Sequence, residues 1–230
     1  MLDSNQNNPE KKISKPKKHK NPIIGIQGGV GSFNELTLLE NLEEIKEIIS
    51  QNHAQTNSQN TNFDLEIDYC LTTQKVLESL DSGEIDFGLF AFVNSLGGIV
   101  AETAAVLGKY PFTILDNFKT QISHTLMKLP SQHLSQINQI MAHDQVFRQC
   151  TNQLRRKYGH LKQISGTGEM TDNGSIALAL KDGKLNNTAI LMSERMAEIY
   201  GFDIIEEDLQ DRINDNYTTF LLVGSAKFEK

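Results

Sequence analysis

Short apolar segments alternate with helical segments along most of the chain, and this alternation restricts the fold class. "IDFGLFAFVNS" (residues 85–95) and "TAILMS" (residues 188–193) are mostly apolar, as expected of strands buried on both faces. By contrast, "NELTLLENLEEIKEIIS" (residues 34–50) spaces its apolar residues at helical intervals, and "DQVFRQCTNQLRRKYG" (residues 144–159) predicts another helix. Strands that alternate with helices favour an α/β fold with a largely parallel sheet.

Charge is spread unevenly over the 230 residues. Residues 1–20 contain six lysines against Asp3 and Glu10, whereas the formal net charge of the whole chain is −7. We expect residues 1–21 to form a disordered basic tail, because they contain almost nothing to bury. The remaining acidic body argues against a nucleic-acid partner, since affinity for phosphates comes from clustered Lys and Arg.

Several function classes lack their sequence signals. The chain has no apolar run of bilayer length and no apolar stretch of a signal peptide at its N-terminus, so we expect no membrane partner and a cytoplasmic location. Cys70 and Cys150 have neither a disulfide framework nor metal-type spacing and are expected to be structural thiols. The histidines fit no hydrolase motif and no metal constellation, so no metal is expected.

Polar residues stand at the ends of three predicted strands. Gln27 ends the first strand, and Asn94 and Ser95 end the third. Thr218 begins the last strand, which must therefore run antiparallel to the others to share their edge. Ligands of α/β folds gather at the carboxyl ends of strands, so these residues are candidates for a site. The glycine-rich segment "GGVGSF" (residues 28–33) could offer backbone N–H groups to an anion or could be a plain tight turn.

Six ordered segments resemble the catalytic domain of the prephenate dehydratase family. "GLFAFVNSLGGIVAET" (residues 88–103) is similar to a Glu-Asn-Ser-x-x-Gly-x-Val-x-x-Thr segment, and "NYTTF" (residues 216–220) to an Asn-x-Thr-Arg-Phe motif. "IMAHDQVFRQC" (residues 140–150) resembles a Ser-His-Pro…Gln-Cys segment and keeps His143. The other three segments are "IGIQGGVGSFNELTLLE", "ILDNFKTQISHTLMKLP", which places His124 at the family's histidine, and "TAILMSERMAEIYGFDIIEEDLQD".

The resemblance implies a fold, a reaction and a set of site residues. The implied fold is α/β and two-lobed, of the type II periplasmic-binding-protein kind, with a cleft between the lobes. The resemblance places lobe 1 at about 22–103 plus 204–226 and lobe 2 at about 104–203. The implied reaction converts prephenate into phenylpyruvate, water and carbon dioxide without a cofactor or metal. Thr218 matches the catalytic threonine, and the substrate-binding residues are expected to be Ser32, Asn94, Ser95, His143, Asn216 and Thr219.

Ala142 and Asp144 replace the Ser and Pro beside His143, and two further motif positions depart from the family pattern. Thr219 stands where the family has Arg, and Val93 stands where it has Glu. Prephenate carries two carboxylates, so Arg212 or Lys119 could supply the missing cation. Three hypotheses therefore stay open: a dehydratase with an altered site, an enzyme that decarboxylates prephenate or a relative of it without aromatisation, and a small-molecule-binding protein without turnover.

The resemblance also bears on regulation and assembly. Prephenate dehydratases commonly carry a C-terminal ACT domain that binds phenylalanine, but only six residues follow Gly224 here. We therefore expect no phenylalanine feedback within this chain. The family is typically oligomeric through its catalytic domain as well, so a homodimer is expected.

Overall fold

The structure is a computed structural model that describes residues 19, 21–52, 62–166, 170 and 173–226. Apart from His19 and Asn21, the predicted basic tail lies outside these residues. The strands are β1 (Ile23–Ile26), β2 (Glu66–Tyr69), β3 (Phe87–Asn94), β4 (Gly98–Ile99), β5 (Phe112–Gln121), β6 (Thr125–Lys128), β7 (Gln139–Ala142), β8 (Lys162–Ser165), β9 (Thr188–Met192), β10 (Asp203–Glu206) and β11 (Tyr217–Ser225). The α-helices are α1 (Phe33–Glu40), α2 (Leu42–Asn52), α3 (Thr73–Ser82), α4 (Ala101–Ala104), α5 (Asp144–Gln149), α6 (Thr151–Tyr158), α7 (Asn173–Lys181) and α8 (Arg195–Tyr200).

The strands form two separate sheets, each of which defines one lobe. Sheet 1 has the strand order β2-β1-β3-β11-β5, with β4 paired to β3, and sheet 2 has the order β10-β6-β9-β7-β8. Strands β1, β2 and β3 are parallel, whereas β11 runs antiparallel to both β3 and β5, as its polar start predicted. The predicted two-lobed α/β fold of the periplasmic-binding-protein kind is therefore confirmed.

The chain crosses between the lobes twice, but at other residues than expected. Strand β5, at 112–121, pairs with β11 in sheet 1, although the predicted bounds placed it in lobe 2. Strand β10, at 203–206, pairs with β6 in sheet 2, although the predicted bounds placed it in lobe 1. The crossings are therefore residues 122–124 and 207–216. Sequence patterns identify both segments as strands, but backbone pairing with a distant strand decides their sheet.

Helices cover both faces of each sheet and bury four hydrophobic clusters. In lobe 1, Leu38 of α1 and Ile45 of α2 pack on one face of sheet 1, and Leu77 of α3 packs on the other. In lobe 2, Leu154 of α6 and Leu180 of α7 belong to clusters on opposite faces of sheet 2. Among the described residues, no helix is long and apolar enough to cross a bilayer.

The predicted helix at 144–159 is broken into two at Cys150. Cys150 has φ −117° and ψ 11°, outside the helical region. The Asp211 carboxylate accepts hydrogen bonds from the backbone N–H groups of Asn152 (2.9 and 3.0 Å) and Gln153 (3.0 Å). These N–H groups lie at the start of α6 and have no partner within that helix, so Asp211 stabilises a new helix N-terminus there.

Candidate active site

A cleft of about 1070 Å³ opens between the lobes, where the polar ends of β3 and β11 meet lobe 2. Its lobe 1 wall includes the glycine-rich segment, Asn94 and Thr218, and its lobe 2 wall includes His143 and Gln149. Four of the seven predicted site residues line this cleft: Ser32, Asn94, His143 and Thr218. The cleft can hold a small molecule about the size of a substituted six-membered ring.

Thr218 is buried at the floor of the cleft and is held by the Asn94 amide. Asn94 is its direct partner in the antiparallel register of β3 and β11. The Asn94 Nδ2 atom donates to Thr218 Oγ1 at 3.1 Å and to Asn216 Oδ1 at 2.9 Å. Because the Thr218 oxygen accepts this bond, its own O–H points elsewhere and has no partner within the described part of the chain. The geometry therefore presents a hydroxyl donor to the cleft.

Asn216 does not line the cleft, but it fixes the residues that do. It is fully buried, and its Nδ2 atom donates to the Ile122 carbonyl at 3.3 Å and to Gln149 Oε1 at 3.5 Å. The side-chain oxygen of Asn94, Oδ1, accepts from the backbone N–H groups of Leu96 and Gly97, each at 2.9 Å. Asn94 and Asn216 thus connect the ends of two strands, the loop after β3 and the first interlobe crossing.

Ser32 begins α1 at the edge of the cleft. Its Oγ accepts from the Glu35 backbone N–H at 3.3 Å, so Ser32 is the N-cap of this helix. The Glu35 carboxylate in turn accepts from the Gly31 N–H at 2.6 Å and from the Tyr69 hydroxyl at 2.5 Å. Burial, together with the hydrogen bond to Glu35, raises the pKa of Tyr69 to about 12. The glycine-rich segment is therefore held as a defined turn.

Ser95 and Thr219 were predicted in the site, but they do not line the cleft. Ser95 is exposed, and its hydroxyl donates to the Asp215 carbonyl and accepts from the Tyr217 N–H at 2.9 Å. Thr219 lies between Thr218 and Phe220, which both line the cleft, so strand alternation turns Thr219 to the opposite face. Ser95 therefore secures the start of β11, and Thr219 lies outside the cleft.

The two positions that depart from the family pattern are paired with each other. Thr219 lies directly opposite Val93 in the register of β3 and β11, and Lys119 is its partner on β5. Directly opposed residues on antiparallel strands interact through their side chains. The family pattern has Arg at position 219 and Glu at position 93, so this chain lacks both charged residues of one cross-strand pair. The change falls on the face away from Thr218.

Two histidines line the cleft with different tautomers. His143 caps α5, and its Nδ1 atom accepts from the Gln145 N–H at 3.2 Å, which leaves the proton of the neutral ring on Nε2. His124 is buried, and its Nε2 atom lies 2.6 Å from Gln149 Oε1. Burial lowers the pKa of His124 to about 4, so this ring is neutral and donates to Gln149, and its Nδ1 acceptor has no partner among the described residues.

Sequence reasoning missed several residues that line the cleft, among them His124, Gln149 and Glu102. His124 and Gln149 both matched family segments but were not placed in the site. Glu102 was not singled out at all, yet its carboxylate accepts from Gln27 Nε2 at 2.9 Å and from the Thr73 N–H at 2.7 Å. Val100 and Thr103, which lie close to Glu102 in the sequence, match the Val and Thr of the family segment. This match was the sequence signal that could have drawn attention to Glu102.

The described residues offer no metal site and no reactive thiol. No group of three or more His, Cys, Asp or Glu side chains within them could hold a metal ion. Burial raises the pKa of the Cys70 thiol to about 11 and of the Cys150 thiol to about 12. Both thiols therefore stay protonated at neutral pH.

Comparison with known proteins identifies the family of this sequence. The sequence model of the family described as prephenate dehydratase matches residues 24–228. The chain is 27% identical over 155 residues to the chloroplastic arogenate dehydratase/prephenate dehydratase 2 of Arabidopsis thaliana, covering 67% of this chain and 39% of that protein. It is 28% identical over 168 residues to the prephenate dehydratase of Methanocaldococcus jannaschii, covering 72% of this chain and 57% of that protein.

A solved structure shows the same fold. The prephenate dehydratase of Arthrobacter aurescens, in complex with L-Phe, superimposes with a TM-score of 0.66 at 20% identity, covering 88% of this chain and 60% of that one. The chain spans less than two thirds of the length of each of these three proteins. Because the family match covers almost everything from β1 to the end of β11, the chain belongs to the prephenate dehydratase family.

Proposed function

We propose that the chain is a prephenate dehydratase that converts prephenate into phenylpyruvate, water and carbon dioxide, a step of phenylalanine synthesis. The observation that carries this proposal is the hydrogen bond from Asn94 Nδ2 to Thr218 Oγ1 at 3.1 Å. It orients a buried hydroxyl so that its proton is available to a ligand in the cleft. A donor at this point suits a reaction in which a hydroxyl group departs.

The reaction needs a hydrogen-bond donor but no redox partner. The bond between the ring and its carboxylate breaks and releases carbon dioxide, and the electron pair moves into the ring. The bond between the ring and the hydroxyl oxygen breaks in turn, and the departing oxygen gains a proton to become water. Thr218 donates to that oxygen as negative charge develops on it, and aromatisation of the ring drives the step. The Nε2–H of His143 is a second donor on the facing wall.

The burial of Thr218 strengthens its contribution. Only 7% of Thr218 is exposed, and Phe220 beside it is 1% exposed. A donor in such a dry environment acts on a developing charge more strongly than it would in water, and it needs no reorganisation at the moment of reaction. Asn94 and Asn216 hold this donor in place before the substrate arrives.

Incubation of the purified protein with prephenate tests the proposal. We expect prephenate loss to be matched by an equal amount of phenylpyruvate, identified by mass spectrometry against an enzyme-free control. Loss of prephenate without phenylpyruvate would indicate decarboxylation without aromatisation. Binding of prephenate without any loss would indicate a binding protein. Either result would overturn the dehydratase proposal.

We further propose that the protein acts in the cytoplasm as a homodimer on a small molecule, without a nucleic-acid or membrane partner. The net charge of −7 supports the absence of a nucleic-acid partner, and family membership supports the dimer. Sedimentation velocity at micromolar concentration tests the assembly, and a monomer there would refute the dimer alone.

A further inference from the structure

The charged groups of the cleft differ in whether they have partners within the protein. Its described lining includes two carboxylates, Glu102 and Asp211, and two guanidinium groups, Arg148 and Arg212. Glu102 accepts hydrogen bonds from Gln27 and Thr73, as described above. Asp211 accepts from the backbone N–H groups at the start of α6 and from Asn152 Nδ2 at 3.0 Å. Both acidic groups therefore already have partners within the protein.

The two guanidinium groups have no such partners. Within the residues that the structure describes, neither Arg148 nor Arg212 donates a side-chain hydrogen bond or lies within ion-pair distance of a carboxylate. Both are exposed to the cleft solvent. Both guanidinium groups are therefore available to donate hydrogen bonds to an anionic ligand in the cleft.

A backbone hydrogen bond joins the two segments that carry these arginines. Arg148 is the neighbour of Gln149 at the end of α5, and Arg212 is the neighbour of Asp211 in the second interlobe crossing. The Asp211 backbone N–H donates to the Gln149 carbonyl at 2.8 Å, which joins the two segments. Gln149 in turn contacts His124 and Asn216, so the joined segments lie beside the residues that fix Thr218.

Lys119, the other candidate cation, is excluded by its position. It pairs with Thr219 on β5, and its Nζ atom lies 4.4 Å from the centre of the Tyr217 ring. Thr219 and Tyr217 flank Thr218 on the strand and so face away from it. Lys119 therefore contacts an aromatic ring on the far face of sheet 1 and does not line the cleft.

We propose that Arg148 and Arg212 form the carboxylate-binding pair of this cleft. The ligand class is a small dicarboxylate. A guanidinium group binds a carboxylate through two parallel hydrogen bonds, so two groups match two carboxylates. The choice of prephenate as the dicarboxylate to test rests on the proposed function. The binding of its two carboxylates, however, can be measured whether or not the protein turns it over.

Equilibrium binding of two probes tests this pair. Prephenate has two carboxylates, and phenylpyruvate retains one of them. Titration calorimetry measures phenylpyruvate binding in the otherwise unchanged protein and prephenate binding in the Thr218→Val background, where we expect turnover to be slower by about 10²-fold or more. The variants are Arg148→Gln and Arg212→Gln, and Lys119→Gln is the control that removes one positive charge outside the cleft.

We expect each arginine variant to weaken prephenate binding by about tenfold or more, and Lys119→Gln by less than about twofold. Only one arginine variant should weaken phenylpyruvate binding to the same extent, because this probe has lost one carboxylate. Unchanged melting temperatures will show that the variants are folded. Prephenate affinities that match the control in either arginine variant, or no prephenate binding at all, would overturn the proposal. If binding is tight and depends on the arginines but the native protein makes no phenylpyruvate from prephenate, the result would support the arginine pair and refute the proposed dehydratase activity.

Discussion

Replacement of Gly31 by alanine should destabilise the protein through a contact between the lobes. Gly31 belongs to the glycine-rich segment of lobe 1 and has φ +77°, in the left-handed region. A Cβ atom built there would lie 1.9 Å from Sδ and 3.2 Å from Cγ of Met196 on α8 of lobe 2. Met196 is fully buried, so its side chain can move away only by displacing other groups of a packed core.

The magnitude has two parts. An alanine in the left-handed region costs roughly 1–2 kcal/mol relative to a right-handed conformation. Overpacking of a buried contact costs about 1–3 kcal/mol more. We therefore expect Gly31→Ala to lower the free energy of unfolding by about 2–5 kcal/mol, a large share of the stability of an ordinary domain.

A matched glycine separates the two parts. Gly183 has φ +72°, and a Cβ atom there would meet nothing within 4 Å, so Gly183→Ala carries the backbone cost alone. The chain has no Trp, so urea unfolding is best followed by far-UV circular dichroism. The reasoning is refuted if Gly31→Ala costs no more than Gly183→Ala. It is also refuted if Gly31→Ala costs as much in a Met196→Ala background as in the native protein.

Three further perturbations probe the core, the pH response and the support of Thr218. Phe220→Ala removes a ring that is 1% exposed and should cost about 3–5 kcal/mol of stability in urea unfolding, whereas a loss below about 1 kcal/mol would contradict its place in the core. His124 has a pKa lowered by burial from 6.5 to about 4, so the unfolded chain binds an extra proton between these values. Stability should therefore fall by up to about 3 kcal/mol as the pH drops from 6.5 towards 4, and His124→Asn should remove this part of the pH dependence; an unchanged slope would refute it. Asn94→Ala removes the donor to Thr218 and should lower the rate of phenylpyruvate formation by about 10²-fold or more, whereas a near-native rate in folded protein would show that Thr218 needs no such support.

Sequence patterns predicted the meeting of the strand ends correctly. The polar ends at Asn94 and Thr218 implied an antiparallel last strand, and the register indeed pairs these two residues. Gly183 and Gly201 follow the ends of α7 and α8 with positive φ, a conformation in which glycine is the preferred residue. Such features depend on local conformation and on which residues can share a sheet edge, so residue type alone carries them.

Side-chain direction and distant pairing were beyond reach of the sequence. Ser95 and Thr219 lie one position away from cleft residues, and a step of one residue along a strand moves a side chain to the other face. Which of the two sheets β5 and β10 join depends on backbone pairing with strands far away in the sequence. Arg148 came to the cleft for a similar reason, because Asp211 and Gln149 join two segments that are more than 60 residues apart.

The rate of phenylpyruvate formation by two variants of Thr218 tests the central claim most directly. Thr218→Val keeps the shape of the side chain but removes the hydroxyl, whereas Thr218→Ser keeps the hydroxyl. Melting temperatures near that of the native protein will confirm that both variants are folded. We expect Thr218→Val to lose about 10²-fold or more of the rate and Thr218→Ser to retain most of it. A Thr218→Val variant that forms phenylpyruvate at the native rate would show that this hydroxyl takes no part in the reaction.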